Sequence, residues 1–184
     1  EGNAYIVWDI GDQIQGRIWY AATTTSSEVK TIRSVARLPG VAATGDRVHL
    51  VYVDTNDRLT YYRAFDKAFN STGEQETAIG GGRSDDPSPT ITDGADGSVY
   101  MVWSMVTGER WEIHLRQRLA GQGLGPLERV SHNYVGDTDG SNVNHSAATV
   151  AVSPNGTVWV AWTGAETGTS QIYERQRAAG TLFN

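Results

Sequence analysis

Short apolar runs recur along this chain, separated by polar segments rich in Gly, Asp, Asn, Ser and Thr. Two of these runs are nearly alike: residues 99–103 read Val-Tyr-Met-Val-Trp, and residues 158–162 read Val-Trp-Val-Ala-Trp. Each is followed by a second run, at 113–118 and at 172–177, that ends in Arg-Gln-Arg. A pattern that returns in this way predicts an internal repeat.

Two weaker copies lie upstream. They begin at Ala4 and Val48, and they align Trp8 and Tyr52 with the final Trp of the later runs. The sequence therefore holds about four copies of one unit.

The third copy shows the unit best. A short β-prone run at 89–92 ends in an Asp-Gly turn, and the apolar run 99–103 follows. The segments 111–118 and 127–130 come next, each after a Gly-containing loop. This order predicts four short antiparallel strands, in which the second is the most apolar.

A four-stranded sheet of this kind has two faces that need cover, and copies packed face to face around an axis supply it. We therefore predict an all-β fold, a β-propeller of about four blade-like four-stranded antiparallel repeats. The chain is interpreted as a single domain over 1–184. Its repeats fall approximately at 1–37, 38–86, 87–133 and 146–184.

The end copies are shorter than the middle ones. The first copy starts at its second strand, and the fourth stops before its last strand, which leaves unpaired strand edges. Three interpretations follow: a fragment of a larger propeller, a four-bladed ring with degenerate ends, or a subunit completed by a neighbour. In the last case, self-assembly would proceed through the end blades by strand complementation.

Composition excludes some classes of partner. The formal net charge is −6, which disfavours a nucleic-acid ligand, because such ligands favour a basic stripe. The 184 residues contain no Cys and no apolar run long enough for a membrane span.

The pattern Gly-x-Val-aromatic-x-x-Trp, as in 97–103 and 156–162, with Ile-x-x-Arg some ten residues later, resembles the sialidase-like (BNR-type) β-propeller repeats of exported bacterial proteins. The resemblance implies a propeller located outside the cell or at the cell surface, with a glycan or protein ligand. The Asp-box turns of true sialidases, Ser-x-Asp-x-Gly-x-Thr-Trp, are missing: their places hold 119–123 and 178–181. This departure argues against catalysis.

Arginines at matching places in the third strands are the first candidate ligand-binding groups. Arg116 and Arg175 could converge as a clamp for a carboxylate or phosphate. The alternative is that repetition reproduces residues for packing, with the charged heads in water. The upstream copies align Ala21 and Tyr62 with Arg116, which favours packing.

Aromatic residues of the third strands form the second candidate set. Trp19, Tyr61 and Tyr173 could stack on sugar rings if they are exposed at the ends of the blades. Their regular spacing favours a place in the core between blades instead.

A third candidate is a metal site. In residues 136–142, Asp137, Asp139 and Asn142 place oxygen ligands around a Gly, as calcium loops do. The terminal Glu of an EF-hand is missing, so a solvated Asp/Gly turn is the alternative. We therefore expect no cofactor, and calcium at this loop is the one alternative.

Glycosidase chemistry needs a pair of carboxylates, and the positions of the acidic residues in the sequence do not single out such a pair. Asp9, Asp54, Glu112 and Glu174 are all available, but no two of them stand out. We therefore predict an exported module that binds a glycan or a protein chain and has no catalytic centre of its own. Part of a sialidase-like hydrolase or lyase is one alternative, and a filament or oligomer subunit joined by strand complementation is another.

Overall fold

The protein is an all-β array of four antiparallel sheets, here called blades 1 to 4. The computed structural model describes residues 2–80, 88–107, 110–131, 146–164 and 169–183. Within these ranges there is no helix, in agreement with the predicted all-β fold.

The strands of each blade follow one another along the chain. Blade 1 contains β1 (Ala4–Ile10), β2 (Gln13–Tyr20), β3 (Thr25–Ser26) and β4 (Lys30–Ser34). Blade 2 contains β5 (Ala36–Ala43), β6 (Val48–Asp54), β7 (Thr60–Phe65) and β8 (Thr77–Ala78). Blade 3 contains β9 (Thr90–Asp93), β10 (Val99–Thr107), β11 (Arg110–Arg118) and β12 (Glu128–Arg129). Blade 4 contains β13 (Ser146–Val152), β14 (Val158–Gly164) and β15 (Gln171–Arg177).

Blades 2 and 3 have the predicted meander, with strands paired in chain order. The end blades depart from it as expected. In blade 1, β1 corresponds to a second strand, and both β3 and β4 pair with β2. Blade 4 has three strands in the order β13-β14-β15. The four-stranded plan predicted from the third copy is therefore confirmed in blades 2 and 3, and the outer strand of blade 1 is divided in two.

The first strand of blade 2 is longer than its apolar run. Val41, Ala42 and Ala43 form only its end, because β5 already begins at Ala36. Its pairing with β6 shifts register between Arg37 and Gly40, on either side of Leu38 and Pro39. A bulge next to Pro breaks the alternation of apolar residues that reveals a strand.

The second strands follow one packing rule, which depends on the side-chain period of two. The first, third and fifth residues of each five-residue run are here called backward positions, because they face the preceding blade. The second and fourth are forward positions, because they face the following blade. In blade 3, backward Val99, Met101 and Trp103 pack with Val51 of blade 2, whereas forward Tyr100 and Val102 pack with blade 4.

Three core clusters follow from this rule, one between each pair of successive blades. β5 packs on β1, β9 packs on β5, and β13 packs on β10. Among the described residues, no cluster joins blade 4 to blade 1. The inner blades are therefore covered on both faces and the end blades on one.

Candidate functional site

A cleft between blades 2 and 3 holds the most distinctive polar cluster of the described residues. Two adjoining cavities, of about 200 and 410 Å³, share Glu74, Arg118 and Gly121 in their walls. The smaller cavity also contacts Arg47 and His49, and the larger one reaches Tyr62. The turns that join β5 to β6, β9 to β10 and β11 to β12 surround this cleft.

Local hydrogen bonds position its charged residues. The turn before β6 is closed by the Thr44 amide, which donates to the Arg47 carbonyl at 3.0 Å. Arg118 ends β11, where it pairs in register with Val99. Glu74 lies in the segment between β7 and β8, which a bridge between Phe65 and Ser71 ties to its own blade. Residues that are distant in sequence meet here because blade 3 packs on blade 2.

Two arginines converge on one carboxylate in the cleft. Arg47 Nη1 donates to Glu74 Oε1, and Arg118 Nη2 donates to the same oxygen at 3.2 Å. Charge-assisted hydrogen bonds of this type are about twice as strong as neutral ones. The Arg118 side chain is largely buried, whereas those of Arg47 and Glu74 are about one third exposed. This arrangement, here called the arginine clamp, holds the Glu74 carboxylate with two guanidinium groups.

A buried histidine and tyrosine lie beside the clamp. His49 Nδ1 is 2.8 Å from the Tyr62 hydroxyl, and His49 Nε2 is 2.9 Å from Thr44 Oγ1. Burial, together with the positive charges of Arg118 and Arg47, lowers the pKa of His49 to about 4. Burial also raises the pKa of Tyr62 to about 12. Both groups are therefore neutral at pH 7, and both ring nitrogens of His49 already have partners.

The strand register corrects the alignment of the repeated arginines. The cross-strand partners of the third residues of the four runs are Arg17, Arg63, Arg116 and Arg175. The assignment of Ala21 and Tyr62 to the Arg116 position is therefore wrong, and all four blades carry Arg there. The turns between second and third strands differ in length, and a slip of one residue puts a side chain on the opposite face.

These repeated arginines do not form the predicted clamp within one site. Arg175 donates to the Val130 carbonyl of blade 3 at 2.7 Å and lies over the Phe183 ring. Arg63 instead bonds Ser71 within its own blade. Arg116 is half-buried. The arginines that do meet carboxylates lie two residues further on: Arg118 reaches Glu74, and Arg177 reaches Glu128.

The three candidate aromatic residues lie in different surroundings. Tyr61 stacks on Tyr52 beside the core between blades 1 and 2. Tyr173 stacks on Trp162 beside the core between blades 3 and 4. Trp19 is exposed on the outer face of blade 1. They are not brought together at one site.

The candidate carboxylates are mostly engaged in structural contacts. Asp54 forms an ion pair with Arg33 at 3.1 Å, and Asp9 accepts from the Leu38 amide at 2.9 Å. Glu112 pairs with Arg129 at 3.1 Å, whereas Glu174 is exposed. These contacts do not bring any two of the four carboxylates together as a catalytic pair.

The calcium prediction falls outside the described residues, because Asp137, Asp139 and Asn142 all lie between 132 and 145. In the part of the chain that the structure describes, no group of three or more His, Asp or Glu side chains could hold a metal ion. The same part contains no helix with the length and hydrophobicity that crossing a membrane requires.

Sequence reasoning missed the arginine clamp. Arg47, Glu74 and Arg118 belong to no motif, and each comes from a different turn or strand end. The only usable signal was that Arg118 recurs as Arg177 in the following copy.

Comparisons with known proteins bear on the fold. No protein-family model matches the sequence, and no curated protein matches it either. The resemblance to sialidase-like repeats therefore rests on the repeat pattern alone.

Solved structures do match. The structure of the polysaccharide lyase Uly1 aligns with a TM-score of 0.63 and 11% sequence identity over 98% of this chain and 52% of that one. The chain thus spans about half the length of Uly1. An endo-arabinase from Bacteroides thetaiotaomicron aligns with a TM-score of 0.43 and 13% identity, covering 95% of this chain and 74% of that one. The Uly1 match supports the propeller-like fold, which a glycan-acting enzyme also uses.

Proposed function

We propose that this chain is a non-catalytic propeller module that binds a glycan bearing carboxylate groups, and that the cleft between blades 2 and 3 is its binding site. The observation that carries the proposal is the convergence of Arg47 and Arg118 on a single carboxylate oxygen. A uronic acid residue presents the same group. In the proposal it displaces Glu74 and takes its place between the two guanidinium groups.

The cleft suits a sugar better than a protein surface. Its cavities of about 200 and 410 Å³ adjoin, and turns that carry Arg, Asp, Thr and Gly contribute much of their walls. Glycine residues in these turns allow a ligand to approach the backbone closely; Gly97 and Gly121 both have positive φ, at 78° and 69°. The proposal includes a location outside the cell or at its surface, where such polysaccharides occur, and the sequence resemblance supports this part of it.

Binding is preferred to catalysis because the groups that could move protons are occupied. His49 is 1% exposed, and both its ring nitrogens have partners. A base that takes a proton from a substrate must reach it within hydrogen-bond distance. The described conformation does not offer His49 for that step.

The proposal is tested with oligogalacturonate, a uronate oligomer, in isothermal titration calorimetry. Arg118→Gln should weaken binding at least about tenfold, because it removes one of two charge-assisted contacts (about 1.4 kcal/mol). Glu74→Gln should strengthen binding, because the competing carboxylate is gone. The matched control is Arg17→Gln, an exposed arginine on the outer face of blade 1. Equal affinity in Arg118→Gln and wild type, or equal binding of a neutral cello-oligosaccharide, would overturn the proposal.

A lyase is the second candidate, favoured by the His49–Tyr62 pair beside the clamp. An arginine clamp that neutralises a uronate carboxylate would ease removal of the proton on the adjacent carbon. If His49 gave up its contact with Thr44, its ring nitrogen would accept that proton. The electrons of the C–H bond would then form a C=C double bond as the C–O bond to the next sugar breaks, and the Tyr62 hydroxyl would give a proton to the leaving oxygen. The readout is ultraviolet absorbance of the unsaturated product formed from the same oligomer. Turnover that disappears in His49→Gln while binding persists would replace the non-catalytic assignment.

A further inference from the structure

The large exposed apolar side chains of the end blades lie mainly on the two faces that no core cluster covers. On blade 1 these side chains are Ile6, Ile10 and Trp19, which are 49%, 61% and 42% exposed. On blade 4 they are Trp159 and Ile172, which are 40% and 81% exposed. Contiguous exposed apolar surface on a soluble protein is typical of an interaction site.

Each interface between successive blades joins a forward half, made by the earlier blade, to a backward half, made by the later blade. The outer face of blade 1 has the composition of a backward half. Ile6 and Trp8 hold backward positions, the same ones that Leu50 and Tyr52 use to pack on blade 1. Trp19 pairs in register with Ala4, as Phe65 pairs with Val48 and Arg118 with Val99. Phe65 lies in the core between blades 1 and 2, and Arg118 reaches Glu74 of blade 2. This face therefore carries the residues that the other blades use to contact a preceding blade.

The face of blade 4 is the forward half of the same interface. Trp159 holds the position of Tyr100, and Ala161 that of Val102; both blade 3 residues pack on blade 4. Ile172 holds the position of Ile113, which is fully buried in that cluster. On blade 4 the same positions are exposed or half-buried.

We infer that a second copy of this chain occupies these faces, with the outer face of blade 4 of one copy packed on the outer face of blade 1 of the next. The argument is continuity with the three interfaces inside the chain, since each of them joins a forward half to a backward half. The contact uses two different surfaces, so it is heterologous, and it leads to a ring or a linear assembly. It uses sheet faces, whereas strand complementation, one of the alternatives that the sequence left open, would use strand edges.

The test uses the 184-residue chain in sedimentation velocity over a dilution series. Wild type should associate as its concentration rises. Ile6→Lys and Ile172→Lys should each raise the concentration needed for association at least about tenfold, because each puts a charge into one apolar half. Both side chains are exposed, so folding should be retained, and circular dichroism checks this. Leu119→Lys is the matched control, since Leu119 is exposed in a turn of blade 3.

Mixing the two variants identifies which faces meet. Ile6→Lys keeps an intact blade 4 face and Ile172→Lys an intact blade 1 face, so a 1:1 mixture should form dimers and stop there. A wild-type chain that stays monomeric at every concentration overturns the inference. So does a wild type that associates while the mixture stays monomeric, or an Ile172→Lys variant that associates like wild type.

Discussion

Trp103 and Trp8 hold the same backward position in two blades, but their surroundings differ. Trp103 is 1% exposed and belongs to the core between blades 2 and 3. Trp8 is half-buried and belongs to none of the three core clusters. The same repeat position therefore contributes more to the free energy of unfolding where another blade covers it than where it faces solvent.

We expect Trp103→Ala to lower the free energy of unfolding by about 3–5 kcal/mol, the usual loss for a large aromatic side chain in a core. Trp8→Ala should cost clearly less, because part of that side chain already contacts water. Urea unfolding followed by circular dichroism measures both, at low protein concentration to avoid association. Equal losses in the two variants would contradict the packing rule.

The buried Arg177–Glu128 ion pair allows a second test of how much one contact contributes to stability. Both side chains are 3% exposed, and the Nε–Oε2 distance is 3.3 Å. Arg177→Met should destabilise by about 3–5 kcal/mol, because it leaves a buried carboxylate whose other contact is the Phe183 amide. Adding Glu128→Gln should restore part of the loss, and a double-mutant cycle measures how much. Arg17→Met, at an exposed site, should change stability by less than about 0.5 kcal/mol.

The low pKa of the buried His49 predicts that the folded protein loses stability in mild acid. Its pKa is about 4 in the folded protein and about 6.5 in the unfolded chain, so the unfolded state binds more protons between these values. Stability therefore falls as pH falls from about 6.5 to 4, by roughly 3 kcal/mol from this group. His49→Gln should flatten the slope of unfolding free energy against pH in this window. An unchanged slope would show that His49 is not buried as a neutral group. His114, whose pKa burial also lowers, accounts for part of the slope that remains.

The repeat made most strands predictable from sequence. The run 99–103 is apolar on both faces, and the structure shows why: this second strand contributes to the two cores on either side of blade 3. β15 was predicted from its likeness to the third strand of the preceding copy, and it spans Gln171–Arg177 as expected.

The polar site could not be found in the same way. Arg47, Glu74 and Arg118 meet only because the turns of blade 2 lie beside the end of β11, and turns vary in length and composition between copies. The repeated Arg at the Arg116 position was missed in two blades for a related reason. Turn lengths differ, so spacing from the second strand misplaced Arg17 and Arg63, and the cross-strand register reveals them.

The division of every second strand into backward and forward positions has an evolutionary consequence. A blade requires from its neighbours only the complementary half of one shared interface, and repeat arrays of this type gain stability from nearest-neighbour contacts. Duplication of the gene segment encoding a single unit would add one interface of a kind already present, and deletion would remove one. Relatives of this protein can therefore differ in blade number while each blade keeps the same pattern of residues at its backward and forward positions.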